Sequence, residues 1–142
     1  MLLRNCAGGL VFWEGRVFLL KNEKDEWVFP KGVVRQGDLS HETALRRVKE
    51  ETSISAEIIS TAGHTSYEFF SVTRHKPICN RITWYTMSAQ DGFFQINEPE
   101  KCKEAGYYDI DAAMKMLTHN QDRALLNLTY KKLDELMSRR AV

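Results

Sequence analysis

Two adjacent carboxylates, Glu50 and Glu51, follow one turn behind a pair of arginines, Arg46 and Arg47. In a helix, positions 47, 50 and 51 are spaced i, i+3, i+4 and share one face. Ala44, Leu45 and Val48 form a separate apolar stripe that would meet a core, so packing does not need the charged face. Paired carboxylates next to a glycine-bearing loop (Gly32, Gly37) suit chemistry on a pyrophosphate. Such a substrate carries several negative charges and repels a nucleophile. A divalent cation neutralises it, polarises its oxygens and activates a water. Mg²⁺ is hard and takes one or two carboxylates, with waters and substrate phosphates completing its shell. Glu50 and Glu51 could supply those oxygens to Mg²⁺ or Mn²⁺. Gly32 would let the backbone approach the metal. Arg46 lies one turn before Glu50 and can orient it. Taken alone, the two glutamates would pass for a solvated helix face; the loop before them argues otherwise.

The elements that must position these residues are legible in outline. Ser40 is expected as the N-cap of a helix running to about Thr52. Cys6 to Phe12 is apolar with two glycines, Trp13-Glu14-Gly15-Arg16 reads as a tight turn, and Val17 to Leu20 is again apolar. This pattern predicts a hairpin or two neighbouring strands. Trp27-Val28-Phe29 runs into Pro30 and Gly32, which should end that strand and open the loop. Ile54 to Ile59, Tyr67 to Val72 and Arg81 to Met87 are rich in β-branched and aromatic residues and predict strands. Asn97 to Gly106 reads as a polar loop and Asp111 to Leu117 as a short helix. A longer helix follows over Asp122 to Met137, with an apolar stripe at Leu126, Tyr130, Leu133 and Met137. Strands interrupted by one helix and closed by another place the chain in the α/β class, with a mixed sheet covered on both faces. No repeat or linker divides it, so one domain over residues 1–142 is expected.

The segment from Gly32 to Ile54 resembles the Nudix box, whose pattern is Gx5Ex7REUxEExGU with U aliphatic. Gly32, Arg46, Val48, Glu50, Glu51 and Ile54 match; Asp38 stands in for Glu, Ser53 for Gly, and Arg47 reverses a charge. Trp27 to Gly32 is similar to the entry to the box in diadenosine polyphosphate hydrolases. Ser71 to Pro77 with Thr83-Trp84-Tyr85 resembles their middle hairpin. Glu98 to Glu104 with Tyr107 to Asp111 is similar to the segment where the family often places a further acid. The resemblance implies an α/β/α sandwich with a mixed sheet. It implies a metal-dependent hydrolase of a nucleoside diphosphate linked to another moiety, such as a dinucleoside polyphosphate. It implies that Glu50, Glu51 and the Gly32 backbone hold metal, helped by Glu98, Glu100 or Glu104, with Glu100 the first choice. Lys31, Arg35 and Lys76 are candidates to meet phosphate or nucleotide. The plainer alternative makes Lys31 and Arg35 loop surface, and Arg74-His75-Lys76 a solvated hairpin tip.

The family's acid at the position of Arg47 binds metal or acts as base. Here a cation replaces it, and a guanidinium about 5 Å from a divalent ion is repelled by roughly 2 to 7 kcal/mol as the effective dielectric falls from about 80 to about 20. Two outcomes stay open. In one, turnover is reduced but present. In the other, Arg47 grips phosphate as a bidentate donor, and the chain binds nucleotides without hydrolysing them, as a regulatory module would.

Composition narrows the partners. Twenty basic and 19 acidic residues give a formal net charge of +1 over 142 residues. No global field draws such a chain to nucleic acid or a membrane, so anion binding must come from local placement; the resemblance implies a small nucleotide or pyrophosphate as partner, and a monomer or homodimer is expected. No apolar run approaches the ~20 residues of a spanning helix, and Met1 to Asn5 is too short for a secretion signal. Cys6, Cys79 and Cys102 are an odd set without a CxxC pair, which suits a reducing compartment, the cytoplasm, and argues against structural zinc. Tyr67, Phe69, Trp84 and Tyr85 are expected to pack, with one free to stack on a base. His41, His64 and His119 show no partner pattern.

Overall fold

The computed structural model describes residues 1–140, and their side chains through residue 136. Strand β1 (Leu2–Trp13) turns into β2 (Arg16–Asn22) through Glu14 and Gly15, whose φ angles of 47° and 75° are the positive pair a tight two-residue hairpin needs. Short strands β3 (Trp27–Val28) and β4 (Lys31–Val33) follow. Then come α1 (Ser40–Thr52), β5 (Ala56–Ser71), β6 (Lys76–Ala89), β7 (Cys102–Asp109), α2 (Ile110–Met116) and α3 (Asn120–Arg140).

The strands form one sheet in the order β3-β2-β1-β6-β5, with β4 paired to β1 and β7 to β2. The β1–β6 pair is parallel and runs from Leu2↔Ile78 to Phe12↔Ser88; the other pairs are antiparallel. The sheet is therefore mixed, as expected. Period-two alternation divides the core between its faces. Cys6, Leu10, Phe12, Val17, Leu19, Ile82 and Trp84 point to one face, closed by Ala113 of α2 and Leu125 and Leu126 of α3. Ala7, Val11, Phe18, Leu20 and Met87 point to the other, closed by Ala44 and Val48 of α1. Helices on both faces make an α/β/α sandwich. Ala44 and Val48 are fully buried. Burying an aliphatic side chain of valine size contributes about 1.5–3 kcal/mol, so the apolar stripe fixes α1 and the opposite stripe is left for the cleft. Among the described residues no helix is long and apolar enough to cross a membrane.

Four expectations are corrected. Ser40 is not the N-cap: it is the first helical residue, Leu39 occupies the cap in an extended conformation, and no side chain caps the helix. The loop expected over Asn97 to Gly106 becomes β7 from Cys102 onward, because its backbone continues the edge of β2 from Arg16↔Asp109 to Asn22↔Cys102. Ile54–Ile59 and Tyr67–Val72 are not separate strands but fall largely within the single strand β5, whose register against β6 shifts between Ile58 and Ser60 and between Thr61 and Gly63. These bulges break the alternation that would have marked one long strand. In α3 the buried stripe runs through Leu125, Leu126 and Thr129, while Tyr130 is exposed; the side chain of Met137 lies outside the described residues.

Candidate functional site

The charged face of α1 forms one wall of an open cleft of about 620 Å³, and β4 forms its floor. Lys31, Gly32, Arg35, Arg46, Arg47, Glu50 and Glu51 all line it, so seven of the residues singled out by sequence come together. Lys76 does not: it is exposed at the start of β6, past the hairpin turn.

Arg47 stands at the centre. Its Nη1 donates to Glu50 Oε2 at 2.9 Å, and its Nη2 donates to Glu51 Oε1 and, at 3.2 Å, to Glu98 Oε2. Burial works against its charge, but Glu51, Glu98 and Glu50 outweigh burial and hold the guanidinium above its ordinary pKa. For Glu51 the balance runs the other way. Burial lifts its pKa above the ordinary value, and Arg47 offsets only part of the lift. With an Arg47 N–H on its oxygen, Glu51 is a more basic carboxylate than an exposed glutamate. Arg46 is placed between two acids: its Nη1 donates to Asp38 Oδ2 at 3.3 Å, and its Nε lies 3.4 Å from Glu50 Oε1. The arginine that precedes Glu50 by a turn does touch it.

Gly32 sits within β4, not in a loop that follows it. A Cβ built there would lie 2.5 Å from Arg47 Cγ and 2.7 Å from Cδ, so the missing side chain is the room in which the Arg47 stem rests.

Glu98 reaches Arg47 because the segment before it caps α1. The last carbonyls of a helix lack intrahelical donors. Here Gln95 N–H donates to Thr52 O at 2.9 Å and Asn97 N–H to Glu51 O at 3.1 Å. Asn97 Nδ2 donates to Glu50 O at 3.0 Å and to Ser53 Oγ at 2.8 Å. Ser53 holds the left-handed position after the helix, φ 60°, where the pattern has glycine. Its hydroxyl gives Asn97 a partner that glycine lacks. Lys101 Nζ stands 3.6 Å from the other oxygen of Glu98. Glu100 is exposed and makes no ion pair among the described residues.

The opposite wall comes from Arg4 and Asn80, which the sequence did not flag, and from Tyr67, which it expected to pack or stack. Arg4 Nε donates to Asn80 Oδ1 at 2.8 Å, Asn80 Nδ2 donates to Tyr67 Oη at 2.7 Å, and all three line the cleft. Tyr67 is thus half-exposed beside the cleft and not a core residue, whereas Trp84 is buried in the core. The signal that could have found this wall is the parallel register that sets Arg4 against Asn80.

A divalent cation does not fit the residues as they stand. Among the described residues, no three Asp, Glu, His or Cys side chains are grouped to hold a metal ion. Glu50, Glu51 and Glu98 converge on a guanidinium instead.

Comparison with known proteins gives a consistent frame. A family model described as the NUDIX domain matches residues 2–128. The chain is 27% identical over 108 residues to an 8-oxo-(d)GTP phosphatase of Mycolicibacterium smegmatis, an alignment covering 76% of this chain and 31% of that protein. It is 34% identical over 70 residues to an RNA pyrophosphohydrolase of Novosphingobium aromaticivorans, covering 46% of this chain and 44% of that one. The chain spans less than half the length of the curated relatives it matches. An Ap4A hydrolase of C. elegans, solved as a binary complex, superposes with a TM-score of 0.71 at 20% identity, covering 93% of this chain and 98% of the other. That likeness is one of fold.

Proposed function

The chain belongs to the Nudix family, and from that premise we propose that its cleft takes a nucleoside diphosphate linked to another moiety and hydrolyses the pyrophosphate. A dinucleoside polyphosphate is the first substrate to try. The observation that carries this is the composition of the cleft. Six basic side chains (Arg4, Lys31, Arg35, Arg46, Arg47, Lys101) line one cavity with three acidic ones, Glu23, Glu50 and Glu51. Basic groups on both walls suit several phosphates in a row. The relatives named above as pyrophosphohydrolase and phosphatase, and the Ap4A hydrolase fold, support the same class of substrate.

Hydrolysis adds water across one P–O–P linkage. The water oxygen bonds to phosphorus, the bridging oxygen leaves on the other phosphate, and one proton must be accepted. Glu51 suits that acceptance, since a general base works best when its pKa is lifted toward the operating pH. Arg46, held by Asp38, orients Glu50. Lys31 and Arg35 meet phosphate. The Mg²⁺ or Mn²⁺ that the family resemblance implies finds no fitting donor set among the described residues.

The ion-paired Arg47 favours a second reading, a module that binds the nucleotide without turnover. Nucleotide release from dinucleoside polyphosphates, nucleotide sugars and nucleoside triphosphates tests both, run with Mg²⁺, with Mn²⁺ and with chelator. Turnover by the natural protein establishes the hydrolase. Nucleotide binding without turnover establishes the module. The absence of both turnover and binding would overturn the proposal.

A further inference from the structure

We infer that Arg47 takes the place of the divalent cation in this cleft, so that a diphosphate group binds without metal. The inference rests on the reading of the cleft as a diphosphate site, and adds what neutralises the charge there.

Three observations lead to it. First, Arg47 is the point on which Glu50, Glu51 and Glu98 converge, the last from a segment 51 residues away. Carboxylates gathered on the wall of a phosphate site would repel the ligand unless a cation lay among them, and Arg47 is that cation. Its side chain is 20% exposed, half-buried among its partners.

Second, Arg47 decides the sign of the cleft. Its lining holds six basic and three acidic side chains. Asp38 and Glu98, each paired to a lining arginine, bring the acids to five. Six against five leaves a surplus of one positive charge. Removing Arg47 leaves five against five. A glutamate there would leave five against six, a cleft that needs an added cation before an anion will enter.

Third, the guanidinium is seated but not used up. Gly32 leaves space for its stem, since a Cβ would meet Arg47 Cγ at 2.5 Å and Nε at 2.8 Å. A guanidinium has five N–H donors. Three are taken by Glu50, Glu51 and Glu98. Two have no partner among the described residues and are free to donate to a phosphate oxygen.

Arg47 is therefore a resident cation with donors to spare, fixed in place by the carboxylates that would otherwise call for metal. The test is calorimetric titration of the full chain with inorganic pyrophosphate and with ADP, in EDTA and in Mg²⁺. The natural protein is expected to bind both in EDTA, with Mg²⁺ changing the affinity less than threefold. Arg47→Gln is expected to weaken binding in EDTA at least tenfold, and Arg47→Lys, which keeps the charge, to fall between. Arg47→Glu is expected to bind only with Mg²⁺. Binding by the natural protein in Mg²⁺ alone would overturn the inference and leave the diphosphate site standing. No binding in either condition would overturn both. Should Arg47→Gln fail to fold by circular dichroism, the EDTA and Mg²⁺ titrations of the natural protein decide the matter alone.

Discussion

Arg47 Nη2 lies 3.2 Å from Glu98 Oε2, a contact that joins α1 to the segment leading into β7 across 51 residues of chain. Of the three acids Arg47 reaches, Glu50 and Glu51 lie on its own helix and Glu98 lies outside it. Of the acids Glu98 and Glu100, it is Glu98 that meets Arg47. We expect Glu98→Gln to change turnover or ligand affinity about tenfold, on the order of the 1.4 kcal/mol that a charge-assisted bond is worth. Glu100→Gln should stay within about twofold, as an exposed substitution does. Steady-state kinetics and calorimetry on both variants check this, and the reverse ranking would move the role to Glu100.

Asn97 holds Glu98 in place from behind. Asn97→Ala removes donors to Glu50 O and Ser53 Oγ. Exposed hydrogen bonds of this kind contribute about 0.5–1.5 kcal/mol each, so a fall of a few degrees in Tm is expected with a loss of activity like that of Glu98→Gln. An unchanged Tm with full activity would show that the segment is held by other contacts.

Gly32 and Arg47 should be coupled. Gly32→Ala pushes a Cβ into the arginine stem, and overpacking of this sort costs about 1–3 kcal/mol. In an Arg47→Ala background the obstacle is gone and the cost should shrink. A double-mutant cycle by urea unfolding measures the coupling. Additive effects would mean that the collision lies elsewhere.

Asp122 offers a pH test away from the cleft. It is 8% exposed and accepts no hydrogen bond among the described residues. Burial raises its pKa above the ordinary 3.8, with His119, Lys31 and Arg123 offsetting part of the rise. The folded state thus holds the proton more tightly than the unfolded state. The stabilising contribution is complete below 3.8 and is lost as pH rises through the folded value. Asp122→Asn removes that loss. Its urea midpoint should exceed that of the natural protein at neutral pH, and the gap should close as the solution is acidified. A gap that does not move with pH would sink this account.

The parts of the site that were legible in sequence are those whose spacing is local. Arg46, Arg47, Glu50 and Glu51 lie within two turns of one helix, and helical geometry alone puts them together. Lys31 and Gly32 precede them in the chain, where the Pro30-Lys31-Gly32 exit from β3 was itself legible, and share the cleft. The far wall was not legible, because Arg4, Asn80 and Tyr67 meet only through the register of β1, β6 and β5. Glu98 and Glu100 are chemically equal on paper; the caps on the last carbonyls of α1 separate them. In sequence Arg47 is a cation that repels a divalent ion or grips phosphate. It is held instead by an acid whose approach no local spacing announces. Strand β7 escaped notice because it pairs with β2 alone and carries few buried side chains to mark it.

The parallel pairing of β1 with β6 has a consequence for synthesis. Arg4 and Asn80, partners across the two strands, are 76 residues apart in sequence. At about 5–20 residues per second, roughly 4–15 s separate the translation of those two residues. During that interval the apolar run from Cys6 to Phe12 has one long edge bare, the kind of edge on which chains aggregate. Pairings of such long range also close slowly once both strands exist. A nascent chain thus carries β1 with this edge unpaired until β6 has been made, and the Arg4–Asn80 wall of the cleft waits on the same pairing.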